Sequence, residues 1–189
     1  MPPFPRLETP RLVLRELADA DVPRIVALAS DDAVARNTLN MPHPYRPDYA
    51  QNWLKICREA HELGAGVTFA IELRATDEFI GGIGLKIEAR FDRAEVGYWL
   101  GVPYWNQGLM TEALAAVLRY GFDELLLNKI MANHTVQNPG SGAVMLKNGM
   151  VKEGELVEHV KRDGEYHTLA QYRLTRSEYA QRLPQASVL

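Results

Sequence analysis

Asn106, Gln107 and Gly108 stand between a segment that reads as a strand and one that reads as the start of a helix, inside AEVGYWLGVPYWNQGLMTEA, Ala94 to Ala113. A strand that feeds a helix through a Gly-containing loop aims several backbone N–H groups at one point. The helix N-terminus adds partial positive charge there. That arrangement suits a phosphate or pyrophosphate. The same spacing also describes an ordinary strand-to-helix connection.

Two further places can carry chemistry. Asn138 is suited to cap a helix whose first position is Pro139, which leaves Ser141 as a hydroxyl in the first turn. Glu95 opens the strand of the Ala94 segment and can accept a proton, directly or through water; a solvated strand-end charge is the alternative. His134, His159 and His167 fall singly in segments that read as strands, where a structural role is the more common one. No H-x-x-x-H spacing or carboxylate pairing points to a metal, so none is expected.

The bulk composition narrows the classes. The chain has 189 residues, 47% of them hydrophobic and 24% charged, which fits one globular domain over 1–189 with a sizeable core. A net charge of −3 offers no electrostatic support for nucleic-acid binding. The single cysteine, Cys57, excludes an intramolecular disulfide and a cysteine-based metal cluster. The opening MPPFPRLETPRL has no apolar signal core, and no run reaches the ~20 apolar residues that span a bilayer. A soluble cytoplasmic protein, without a membrane partner, is expected.

The elements that must hold these residues follow from periodicity. Arg11 to Glu16 alternates as a first strand. Val22, Ile25, Val26 and Ala29 share one face of a helix, and Asp31 to Arg36 makes a second, short one. After the Pro-rich loop at 41–47, Ala50, Trp53, Leu54 and Cys57 form the apolar stripe of another helix that stops at Gly64. Val67 to Leu73 and Phe79 to Ile87 read as a hairpin. Gly81, Gly82 and Gly84 within it suggest bulges or a close neighbouring backbone. The helix from Leu109 reaches about Leu126, with Leu114, Val117, Leu118 and Leu125 inward. Strands at Lys129 to Val136, Met150 to Lys161 and Glu165 to Leu174 follow, the last two joined by the hairpin turn Asp163-Gly164.

GYWLG, a short spacer and W-x-x-G-x-x-T-E-A resemble the coenzyme A loop of the GNAT acyltransferases, most of all the RimJ/RimL-type branch of ribosomal-protein N-terminal acetyltransferases. The E-T-P-R opening and the A-E-x-G-Y run fit the same branch, and the resemblance covers roughly Thr9 to Tyr179, with only a tail after Arg182 outside it. It implies the order βααβββαβαββ and an α/β fold with a mixed, twisted, mostly antiparallel sheet splayed around the central strand. It implies acetyl-CoA as cofactor, with backbone amides of Asn106, Gln107, Gly108, Leu109, Met110 and Thr111 around the pyrophosphate. Met110 stands where the family pattern has Gly or Ala.

The resemblance also implies that Leu100 gives backbone contacts to pantetheine and that Asn138 touches the same arm. It places Ser141 beside the sulfur, as donor to the departing thiolate. Many relatives use a tyrosine later in that helix; here the neighbourhood is Val144-Met145-Leu146-Lys147. Glu95 is the candidate base. The position where some relatives carry a glutamate as base aligns with Val160, and Glu158 lies two residues earlier on the same strand face. Asn37, Asn40, Tyr45, Tyr98 and Tyr166 are candidates to line the acceptor pocket. Three readings stay open: N-acetylation of a protein α-amine, N-acetylation of a small amine such as an amino acid, polyamine or antibiotic, and a non-catalytic acyl-CoA-binding module. A homodimer is compatible with each.

Overall fold

The computed structural model describes residues 3–182; the tail expected after Arg182 lies outside the described residues. Its centre is an eight-stranded sheet in the order β1-β2-β3-β4-β5-β6-β8-β7. The strands are β1 (Leu7–Glu8), β2 (Leu12–Glu16), β3 (Gly66–Leu73), β4 (Glu78–Glu88), β5 (Arg93–Leu100), β6 (Lys129–Thr135), β7 (Val151–Arg162) and β8 (Glu165–Thr175). Every neighbouring pair is antiparallel except β5 and β6. The mixed, mostly antiparallel sheet is therefore as expected.

Helices α1 (Val22–Ala29), α2 (Asp32–Asn37) and α3 (Pro47–Glu62) lie between β2 and β3. Helix α4 (Leu109–Arg119) joins β5 to β6, α5 (Pro139–Lys147) joins β6 to β7, and α6 (Arg176–Ala180) follows β8. The two-residue β1, a third helix between β2 and β3 and the short α6 are additions to the expected order. The α4 segment also ends sooner than its periodicity predicts. A π turn over Tyr120–Glu124 takes over, and Leu125 is only half-buried. Gly121 sits in that turn, where an added Cβ would meet Ile130 Cδ1 at 2.6 Å. The turn thus lets the chain pass close to β6.

Two cores flank the sheet. Leu114, Val117 and Leu118 of α4 pack with Ala94, Val96 and Leu100 of β5 on one face. Ile25, Leu28, Ala50 and Leu54 of α1 and α3 pack with Phe79 and Trp99 on the other. Successive strand side chains alternate between faces, so β5 sends Tyr98 toward the α4 side and Glu95, Gly97 and Trp99 toward the α1–α3 side. The glycines of β4 allow close approach. A Cβ on Gly84 would come within 2.8 Å of Val67 O, and one on Gly82 within 3.0 Å of the Trp53 ring. The one irregularity between β3 and β4 falls at Ile71/Glu72, where Ile80 is the extra residue.

Candidate active site

The loop after β5 is held from two sides. Trp105 Nε1 donates to Leu100 O at 2.8 Å, which fastens the loop to the strand end. Arg11 Nη1 donates to Gln107 O at 2.9 Å from the β1–β2 turn. Asn106 and Gly108 are left-handed, with φ of 59° and 72°. Gly108 is the N-cap of α4, and among the described residues no side chain caps that end. The first N–H groups of a helix lack intrahelical partners, so this end presents free donors beside the positive pole of α4. Leu109 and Met110 are 3% and 7% exposed and belong to the core on the α4 side. The Met110 side chain is therefore packed inward, and its departure from Gly or Ala leaves the loop uncovered. Gln107 turns its own side chain back to Pro103 O, 2.8 Å away.

Glu112, one turn into α4, is the other half of this fastening. It accepts from Thr9 Oγ1 at 2.7 Å, from Arg11 N at 2.9 Å and from Arg11 Nε at 2.6 Å. Burial by itself would push the Glu112 carboxyl up. The hydrogen bonds from Thr9 and Arg11 outweigh burial and hold it below the usual carboxylate range.

The sheet forks beside this loop. The β5–β6 ladder ends at the pair Glu95–Met131. Gly101 N donates to Ile80 O at 3.0 Å, which assigns the odd-numbered residues at this end of β5 to bonds with β4. The N–H groups of Tyr98 and Leu100 then point toward β6, beyond the end of the ladder. An extended ligand segment inserted there would find strand-like donors.

Helix α5 starts at the far side of the fork. Asn138 Oδ1 accepts from Ser141 N at 3.2 Å, the cap its sequence position suggests. Asn138 Nδ2 reaches Asn37 O of α2 at 3.4 Å. The Ser141 Oγ lies 2.9 Å from Tyr98 Oη, and Tyr98 Oη also donates to Ser141 O at 3.2 Å. Burial pushes the Tyr98 phenol up to about 12, against the opposing pull of the Ser141 hydrogen bond. Tyr98 is therefore a neutral hydroxyl throughout the physiological range. Gly142 lets α5 settle this close: a Cβ there would meet His134 Nε2 at 2.8 Å. His134 is buried and fixed through Nδ1 to Thr135 O at 2.8 Å, a structural placement.

On the opposite face, Glu95 is exposed and receives Asn133 Nδ2 on Oε1 at 3.0 Å. Both line a cavity of about 220 Å³ together with Leu39, Asn40, His159 and Val160. Arg162 fastens the β7–β8 hairpin above it, donating through Nη1 to Ala35 O at 2.7 Å and Thr38 O at 2.9 Å. Among the described residues, no group of three or more His, Cys, Asp or Glu is placed to hold a metal ion.

Several expectations need correction. Tyr45 is 7% exposed and belongs to the α1–α3 core rather than to a pocket wall. Tyr98 faces α5, away from the cavity. Glu158 does not share a regular strand face with Val160. The β7–β8 register shifts between Leu156 and Val160, and Glu158 is left-handed with φ of 49°. Tyr166 stands 61% exposed on the hairpin. Of the proposed lining residues, Asn40 borders the cavity. His159 borders it too, although its position in a strand favoured a structural role. The Thr9–Arg11–Glu112 fastening, the Tyr98–Ser141 contact and the Asn133–Glu95 bond join residues up to 103 positions apart. No local sequence signal pairs them, although E-T-P-R and T-E-A were both visible as runs.

Residues 11–151 match the acetyltransferase (GNAT) domain family. The chain is 34% identical over 162 residues to the uncharacterized N-acetyltransferase YoaA of Bacillus subtilis, covering 85% of this chain and 91% of that protein. It is 31% identical over 172 residues to the [ribosomal protein uS5]-alanine N-acetyltransferase of Escherichia coli, covering 87% of each. Its fold matches that of a ribosomal L7/L12 α-N-protein acetyltransferase solved in complex with coenzyme A, with a TM-score of 0.84 and 21% identity over 92% of this chain and 99% of that one. The forked sheet and the uncapped α4 end thus occur in a chain whose greater part carries the family's sequence pattern, and it belongs to the GNAT family of acetyl-CoA-dependent acetyltransferases.

Proposed function

We propose that this chain N-acetylates an α-amino group, most naturally that of a protein N-terminus. The observation that carries the reading is the placement of Glu95 and Ser141. They stand on opposite faces of the sheet, at the fork where β5 leaves β6. Acetyl-CoA supplies an activated acetyl thioester. The Asn106–Thr111 amides and the α4 end would hold its pyrophosphate, and the Tyr98 and Leu100 N–H groups and Asn138 its pantetheine arm. Ser141 Oγ is the hydroxyl positioned to donate a hydrogen bond where sulfur departs. Glu95 takes up the amine proton, directly or through water, with Asn133 fixing one of its oxygens.

A single exposed carboxylate is a modest base, and this favours an amine that is easy to neutralise. A peptide α-amine has a pKa of ~7.7–8.0 and a lysine side chain ~10.4. At pH 7.4 neutralisation costs roughly 0.5–0.8 kcal/mol for the first and about 4 kcal/mol for the second. The activity for which the Escherichia coli relative is named, alanine N-acetylation of ribosomal protein uS5, points the same way. The cavity, at about 220 Å³, suits a terminal residue or a small amine rather than a long side chain.

The test uses two matched peptides, one with a free N-terminus and no lysine, the other N-blocked with one lysine. Coenzyme A release is followed with each. Faster release with the blocked peptide sinks the α-amine reading. Release only with amino acids, polyamines or antibiotics moves the acceptor to the small-molecule class. No release with any acceptor, while acetyl-CoA still binds, makes the chain an acyl-CoA-binding module.

A further inference from the structure

Gly97 is a glycine without a structural reason. It lies within the central strand β5, opposite Gly84 of β4, yet it is exposed and a Cβ built on it would meet nothing within 4 Å among the described residues. The other glycines of this sheet region are explained by crowding: a Cβ on Gly82 would come within 3.0 Å of the Trp53 ring, and one on Gly84 within 2.8 Å of Val67 O. Gly64 and Gly164, also uncrowded, are left-handed, which favours glycine. Gly154 is uncrowded but sits at a β7–β8 register shift. Gly97 has neither a positive φ nor a bulge. A glycine inside a strand weakens it by roughly 0.5–1 kcal/mol relative to alanine, so folding alone gives no ground for one here.

What remains is space needed by something other than the chain. Gly97 projects from the same face as Glu95, two residues before it, and the β5–β6 ladder has ended by Glu95. Tyr98, which meets Ser141, points to the other face. We infer that the open strip over Gly97, next to Glu95, is the seat of the acceptor amine, and that Gly97 sets how bulky the group beside that amine can be. The inference rests on the acetyltransferase reading above and adds where the acceptor lies. It makes Gly97 a specificity-determining position, with Glu95 as the polar end of the seat.

The experiment compares wild type, Gly97→Ala and Gly97→Val. Acetyl-CoA affinity is measured by calorimetry. Steady-state kinetics are measured with a free-N-terminal alanine peptide, alaninamide and spermidine. Both variants are expected to fold, since the added atoms meet no neighbour and β-branched residues suit strands. For the acceptor that wild type uses best, Gly97→Val should raise KM at least tenfold, with Gly97→Ala between. The acetyl-CoA Kd should stay within twofold, and a bulkier acceptor should lose more than a smaller one. An unchanged acceptor KM in folded Gly97→Val overturns the inference while leaving the acetyltransferase reading intact. A parallel loss of acetyl-CoA affinity also overturns it and assigns the strip to the cofactor. A wild-type chain that binds acetyl-CoA but acetylates none of the three removes the underlying reading, and the seat with it.

Discussion

Tyr98 Oη lies 2.9 Å from Ser141 Oγ, so the central strand and the first turn of α5 meet through two hydroxyls at the fork of the sheet. Tyr98 remains protonated well above neutral pH, because burial raises its pKa to about 12. Its single hydrogen serves either Ser141 O or Ser141 Oγ; when it is given to Oγ, the serine hydrogen is released to point elsewhere. On the proposed mechanism Ser141→Ala lowers kcat about 10²-fold, the scale of one positioned proton donor, with little change in KM for acetyl-CoA. Tyr98→Phe lowers kcat less. Because Tyr98 acts through Ser141, the double variant should be no slower than Ser141→Ala alone. Additive losses would separate the two roles.

Gly108 holds φ at 72° and ends the loop at an uncapped helix. A valine there is strained in the left-handed region and carries its branch beside the free donors. Gly108→Val should weaken acetyl-CoA binding at least tenfold, about 1.4 kcal/mol. Calorimetric titration of the folded variant checks this, and an unchanged Kd would remove the loop from the cofactor site.

Gly142 has a steric demand that Gly97 lacks. An added Cβ would lie 2.8 Å from His134 Nε2, on a ring already tied to Thr135 O. Gly142→Ala must therefore push α5 away from β6. Overpacking of this kind destabilises by about 1–3 kcal/mol, and the shift carries Ser141 away from Tyr98. Thermal unfolding should show the loss of stability, and kcat should fall although no proposed catalytic group has changed. His134→Ala in the same background makes room for the methyl group and should restore part of kcat.

The loop, the Asn138 cap and the strand order were legible because each is written locally. Gly108 between strand and helix, Pro139 after Asn138, and Asp163-Gly164 between two alternating runs are all short-range signals. Met110 was legible as a departure but not in its consequence, since the burial of its side chain depends on the packing of α4 against β5. The face assignment of Tyr98 followed from alternation once β5 was fixed, yet its partner Ser141 lies 43 residues on and could not be named. Glu158 shows the opposite failure. Alternation put it on the Val160 face, and the β7 irregularity, which regular alternation cannot register, removed it.

Glu112 links the cofactor loop to pH. Its carboxyl is held below the usual range in the folded chain by Thr9 and Arg11, against the upward push of burial. A depressed folded pKa contributes stability that is present above the unfolded value of ~4.3 and is lost as pH falls through the folded one. Glu112→Gln should therefore be less stable than wild type at pH 7, by about 1–3 kcal/mol for lost hydrogen bonds to a charged group. Because the partnering Arg11 side chain is 49% exposed, solvent screening places the effect toward the low end. The gap should narrow as pH drops below 4. Since Arg11 also holds Gln107 O, freeing it should loosen the loop and raise the acetyl-CoA Kd at neutral pH. Urea unfolding and acetyl-CoA titration of both proteins from pH 3.5 to 7.5 test the two together. A stability gap that stays constant with pH would mean that the Glu112 charge does not support this fastening.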